Sequence, residues 1–171
     1  MKTKQRQMKK WFYVIALSSL IFAGCKKDDD CKAAAPTTIA SSTETAELQN
    51  YLTIKAISAT QKNGMFYVIN SQGSGTSPNI CSTITVDYVG SLMNTSTGSD
   101  GAQFDASQPN QPLVTPLNNL IAGWQLVFPL IKAGGTATLY IPPSLGYGNR
   151  AQPGLPANSY LKFVITLKAV K

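Results

Sequence analysis

The strongest constraint on this chain is the alternation of apolar and polar residues in its C-terminal half. Ser82, Ile84, Val86 and Tyr88 share one face of an extended segment, with Thr83, Thr85 and Asp87 on the other. Ala137, Leu139 and Ile141 alternate with Thr136, Thr138 and Tyr140. Leu161, Phe163, Ile165, Leu167 and Ala169 alternate with Lys162, Val164, Thr166, Lys168 and Val170. A period of two sends successive side chains to opposite faces of a strand, so each segment reads as a half-buried antiparallel strand. Between them, residues 121–131 are apolar and carry Trp124, yet Gly123 and Pro129 permit only a short helix. The expected fold class is α+β: a curved antiparallel sheet of about five strands wrapped over one short α-helix.

Charge and composition bear on partners and address. Hydrophobic residues make up 43% of the 171 and charged residues 13%, which is enough apolar material for a packed core. The net charge of +7 lies mostly at the N-terminus, where Lys2, Lys4, Arg6, Lys9 and Lys10 precede the first apolar run without an acid among them. From Cys25 onward ten Lys/Arg face eight Asp/Glu, leaving +2. Nucleic-acid binding needs basic residues clustered on the folded domain, so nucleic acid is not an expected partner.

The apolar run at residues 11–23 has thirteen residues, short of the roughly 20 that a spanning helix needs, and it suits the h-region of a signal peptide. Phe22-Ala23-Gly24-Cys25 resembles a bacterial lipobox, with Phe22 where Leu is usual. That resemblance implies that residues 1–24 are a lipoprotein signal peptide and that lipidated Cys25 is the membrane anchor. The implied address is the cell envelope, as an outer-membrane lipoprotein facing the periplasm or the surface. Lys26-Lys27-Asp28-Asp29-Asp30 resembles the Lys-plus-acidic surface-export signal of Bacteroidetes-like lipoproteins; a solvated charge run is the alternative.

Residues 31–43 have the small, polar, Pro-punctuated composition of a tether, and residues 25–43 are expected to form a flexible tether. A helix is expected from Thr43-Glu44 to about Lys55, with Thr43 as candidate N-cap and Leu48, Tyr51 and Leu52 at helical spacing. A strand at residues 65–69, entered by the Asn63-Gly64 turn, and a Gly/Ser-rich loop at residues 73–78 complete the lead-in, residues 44–79. Outside the cytoplasm a disulfide between Cys31 and Cys81 is permitted, while Cys81 also suits a buried strand start; both readings stay open. The absence of histidine, with so few cysteines, leaves little for a metal site or for a Ser-His or Cys-His pair.

Several anchors follow one another from residue 80 to the end. They are Val86-Asp87-Tyr88-Val89-Gly90, Gly101-Ala102-Gln103-Phe104-Asp105-Ala106-Ser107, Leu120-Ile121-Ala122-Gly123-Trp124, Gly134-Gly135, Ile141-Pro142-Pro143-Ser144-Leu145-Gly146-Tyr147-Gly148, and Leu155-Pro156-Ala157-Asn158 followed by Leu161-Lys162-Phe163. In order and spacing this series resembles the FKBP-type peptidyl-prolyl isomerases, over residues 80–171. The resemblance implies cis/trans isomerisation of X-Pro bonds in exported polypeptides, with no metal and no cofactor. It implies Trp124 as the floor under the proline ring and Tyr88, Phe104, Leu120, Ile121 and Phe163 as walls. Tyr147 and the Ile121 backbone N–H would bond substrate carbonyls, and Asp105 would order the polar side.

Four positions depart from the family pattern. Leu113 stands where an aromatic is common. The stretch between Tyr88 and Phe104 is longer, and residues 94–99 suggest a mobile insertion. The flap from Gly148 to Pro156 is about one residue shorter, making Leu155 its expected apolar contact with substrate. Ala157 replaces the second proline of the usual pair. Expected partners are proline-containing polypeptide clients and the membrane through Cys25. Macrolide inhibitors are a further ligand class that the resemblance brings in, with flap shape deciding. A non-catalytic Pro-segment binding module or holdase is the alternative function.

Overall fold

The computed structural model describes residues 32–171. The lipobox cysteine Cys25, the signal segment, the charge run at residues 26–30 and Cys31 lie outside the described residues. Cys81 is disulfide-bonded.

In chain order the elements are α1 (Ser42–Ile54), β1 (Thr60–Lys62), β2 (Met65–Ser71), β3 (Thr83–Asn94), β4 (Ser99–Ala106), β5 (Leu113–Pro116), α2 (Ala122–Val127), β6 (Thr136–Ile141) and β7 (Tyr160–Val170). The sheet therefore has seven strands rather than about five, in the order β1-β2-β6-β7-β3-β4, with β5 also paired to β3. The extra strands come from segments without clear alternation. β4 (Ser99–Ala106) and β5 (Leu113–Pro116) take their pairing from β3, whose twelve residues meet β5 along one half and β4 along the other. The opposite edge of β3 is paired with β7 from Ile84↔Val170 to Met93↔Tyr160.

The 94–99 stretch, expected to be a mobile insertion, is instead an ordered hairpin turn. Asn94 and Ser99 are paired, and the Asn94 side chain accepts from the Ser96 and Thr97 N–H groups at 3.1 and 3.0 Å. Glycine, serine and threonine content suggested mobility here, whereas the pairing of the flanking strands depends on partners distant in sequence. The turn is also tied to α1, since Asn50 Nδ2 donates to the Thr95 carbonyl at 2.9 Å.

The sheet buries both faces. On one, α2 lays Trp124, Leu126 and Val127 against Ile84, Val86, Leu139, Ile141, Phe163 and Ile165. On the other, Leu48, Tyr51 and Leu52 of α1 cover Phe66, Tyr140 and Met93. Hence β6 is buried at every position from Ala137 to Ile141 instead of alternating. Gly123 lets α2 approach β6 closely: a Cβ there would lie 2.7 Å from Ile141 Cδ1. The cap of α1 is Ser41 rather than Thr43. Its hydroxyl accepts from the Glu44 N–H while Glu44 reaches back to the Ser41 N–H, a reciprocal capping box. The chain just before it is already docked, with Ala40 buried and its N–H bonded to the Asn63 carbonyl at 2.9 Å.

Candidate active site

Strand alternation, a helix start and a loop converge on one cavity. Tyr88 follows Ile84 and Val86 onto the α2 side of β3, and Phe163 reaches the same side from β7. Their strands pair through Gly90↔Phe163, where a Cβ on Gly90 would meet Phe163 at 2.7 Å and Phe104 at 2.8 Å. Trp124 rises from the first turn of α2. Its ring meets Tyr88 edge-on at 5.3 Å, Phe163 edge-on at 5.1 Å and Phe128 at 5.3 Å. Such tilted and T-shaped contacts favour a rigid aromatic cluster.

The cavity bounded by these rings measures about 110 Å³ and is lined by Tyr88, Asp105, Leu113, Leu120, Ile121, Trp124, Tyr147 and Phe163. Drug-sized ligands occupy roughly 300–1,000 Å³, so this space is the size of a single ring. Phe104 and Leu155, expected as wall and flap contact, do not line it. Phe104 packs edge-on against Phe163 at 5.6 Å, and Leu155 is almost wholly buried. Both face an adjoining space of about 200 Å³ with Asp105, Tyr147, Gln152 and Pro153, so Asp105 and Tyr147 border the two cavities together. A larger open trough of about 600 Å³ lies between α1 and the β3–β4 turn; its lining is small and polar, without an aromatic.

Polar groups around the cavity divide into those already bonded and those still available. The Tyr88 hydroxyl donates to Asp105 Oδ2 at 2.7 Å. Burial first, and then that bond and the Asp105 charge, push the Tyr88 phenol well above its ordinary range. Burial and the same charge also raise the Tyr147 phenol, so it stays a neutral donor at physiological pH. Neither the Tyr147 hydroxyl nor the Ile121 N–H is spent on a hydrogen bond among the described residues. The indole N–H of Trp124 is buried without a partner.

Sequence reading missed the residues that hold this arrangement. Gln125 Nε2 donates to the Leu120 carbonyl at 2.6 Å and to the Asn118 carbonyl at 3.2 Å, fixing the segment that presents Leu120 and Ile121. Ser107 fastens Tyr88 from two sides: its Oγ accepts from the Tyr88 N–H at 3.1 Å, and its N–H donates to the Tyr88 carbonyl at 3.0 Å. A polar residue inside an apolar helix was the only signal for Gln125. Ser107 stood within an anchor but was given no role.

The sequence model of the FKBP-type peptidyl-prolyl cis-trans isomerases matches residues 75–168, which contain every residue of this cavity. The chain belongs to that isomerase family. Among FKBP relatives, it is 38% identical over 113 residues to FkpA, an FKBP-type peptidyl-prolyl cis-trans isomerase of Escherichia coli, covering 66% of this chain and 40% of the relative. It is 37% identical over 114 residues to the peptidyl-prolyl cis-trans isomerase Mip of Coxiella burnetii, covering 66% and 47%. The chain thus spans less than half the length of these curated FKBP relatives. The crystal structure of Escherichia coli FkpA superimposes with a TM-score of 0.64 at 33% identity, over 75% of this chain and 60% of that one. A peptidyl-prolyl isomerase from Pseudomonas syringae superimposes with a TM-score of 0.62 at 28% identity, over 78% and 98%. The FKBP match begins at residue 75, yet β1 and β2 join the same sheet through β6, so the lead-in is built into the fold.

Proposed function

We propose that this chain is a peptidyl-prolyl cis-trans isomerase that assists the folding of exported proteins, held at the outer membrane through a lipid on Cys25. The observation that carries the reading is one aromatic cavity, sized for a ring, bordered by two unspent donors, the Ile121 N–H and the Tyr147 hydroxyl. Rotation about an X-Pro bond meets a barrier of roughly 18–20 kcal/mol because the planar amide must lose resonance. No bond breaks, so the catalyst needs only to bind the twisted amide better than either planar form. Twisting weakens the amide dipole, which an apolar, water-poor site favours. In this reading the proline ring rests on Trp124 between Tyr88, Ile121 and Phe163. The Ile121 N–H and the Tyr147 hydroxyl bond the flanking carbonyls, and Asp105 holds Tyr88 in place. Phe104 and Leu155 act from beneath the neighbouring surface.

A binding module without useful turnover is favoured by one feature, the aliphatic Leu113 in the cavity wall. A proline-peptide isomerisation assay on the full chain in detergent separates the two. Acceleration above the uncatalysed rate is expected; a folded chain that binds the peptide without acceleration refutes the enzymatic reading.

A further inference from the structure

Beyond the cavity, a cluster of hydrogen bonds joins the start of α1 to the turn that carries Tyr147. Glu44 Oε1 accepts from the Ser144 N–H at 2.9 Å, and Glu44 Oε2 accepts from the Ser144 hydroxyl at 2.8 Å. The same carboxylate accepts from the Ser41 N–H at 3.0 Å and the Ser41 hydroxyl at 3.1 Å. Burial by itself would raise the Glu44 carboxyl, but the bonds from Ser144 and Ser41 outweigh it and hold the group below its ordinary range.

Both ends of this link are fixed. On the helix side, the Ala40 N–H donates to the Asn63 carbonyl at 2.9 Å and Asn63 Nδ2 donates to the Thr38 carbonyl at 3.0 Å. On the site side, Ser144 belongs to the 3₁₀ turn Pro143–Leu145. The Gly146 and Gly148 N–H groups, on either side of Tyr147, both donate to the Pro143 carbonyl, at 3.0 and 2.9 Å. Wherever Glu44 holds Ser144, it therefore holds the frame from which Tyr147 reaches the cavity.

We propose that Glu44 is a positioning residue for the isomerase reaction: through Ser144 it sets the placement of the Tyr147 hydroxyl over the cavity. Its role in catalysis rests on the isomerase reading above. Glu44 precedes the family match, which starts at residue 75, so this control belongs to the N-terminal helix of this chain.

The test compares Glu44→Ala, Glu44→Gln, Ser144→Ala and Asn50→Ala in the full chain. Asn50→Ala cuts the tie of α1 to the Thr95 carbonyl without touching Glu44, Ser41 or Ser144 and so serves as the stability control. Because Tyr147 bonds a carbonyl that is present in planar and twisted forms alike, Glu44→Ala is expected to raise KM about tenfold with kcat little changed. Glu44→Gln, which keeps one acceptor oxygen, and Ser144→Ala, which keeps the backbone donor, should be intermediate, and Asn50→Ala should match wild type. Independently of activity, the Gly146 and Gly148 amides should exchange hydrogen faster in Glu44→Ala than in Asn50→Ala. An inactive wild type would refute the isomerase reading, and the amide comparison would still decide whether the clamp exists. Equal exchange in the two variants, or equal KM in an active protein, overturns the proposal.

Discussion

Replacing Trp124 by phenylalanine separates the cavity floor from the core, because the structure predicts opposite outcomes for activity and stability. Trp124 is 3% exposed and packs against Tyr88, Phe128 and Phe163, so truncation to alanine would cost about 3–5 kcal/mol and confound the two. Phenylalanine keeps a ring among those partners. Its smaller volume leaves a residual void costing about 1 kcal/mol. Against this, the substitution removes a buried indole N–H without a partner, relieving a penalty of about 1–3 kcal/mol. The net change in unfolding free energy should lie between about zero and 2 kcal/mol of stabilisation. The floor, however, loses apolar surface under the substrate ring, equivalent to about two buried methylenes, or 1.5 kcal/mol. That corresponds to a fall of about tenfold in kcat/KM. Urea unfolding and the proline-peptide assay on the same preparation measure both quantities. An unchanged kcat/KM would refute Trp124 as the floor, and destabilisation beyond about 2 kcal/mol would refute the reading of its N–H as an uncompensated cost.

Tyr88→Phe removes the 2.7 Å bond to Asp105 while keeping the ring; kcat/KM should fall about fivefold, with less than about 1 kcal/mol lost in urea unfolding because the pair is partly exposed. Gly98 has φ +70°, and a Cβ there would lie 2.4 Å from Ile54 Cγ2, so Gly98→Ala should cost about 2–3 kcal/mol of stability by loosening α1 from the β3–β4 turn, visible as a lowered urea midpoint. The Glu44 and Asp100 carboxyls both lie below their ordinary values of 4.5 and 3.8. For Glu44, burial opposes the shift but the Ser144 and Ser41 bonds prevail; for Asp100, the Tyr51 hydroxyl leads, followed by Lys162. A folded-state value below the unfolded one means stability that is present above the ordinary values and lost as pH falls through the folded ones. The thermal midpoint should therefore drop on acidification below about pH 4.5, and the drop should be shallower in Glu44→Gln and Asp100→Asn.

The division between what could and could not be read in advance follows the range of each interaction. Local pattern determined the strands around Val86, Leu139 and Phe163 and the short helix forced by Gly123 and Pro129, while the resemblance of the ordered anchors to a known family implied a site of Tyr88, Asp105, Ile121, Trp124 and Tyr147, which line one cavity. The strands and the helix depend on side-chain period or backbone propensity within a few residues, which one segment carries by itself. Tertiary structure decided the rest. The β3–β4 turn is ordered because α1 and β7 pack or pair with its strands. β6 loses its alternation because α1 covers the face that Tyr140 presents. Phe104 sits beside the cavity because it packs edge-on against Phe163, and Leu155 lines the adjoining space with it. Most of all, Glu44 meets Ser144 across 100 residues, and no local signal links them. The sequence marked Glu44 only as an acid early in a helix; its second set of donors came into reach when the helix docked on the sheet.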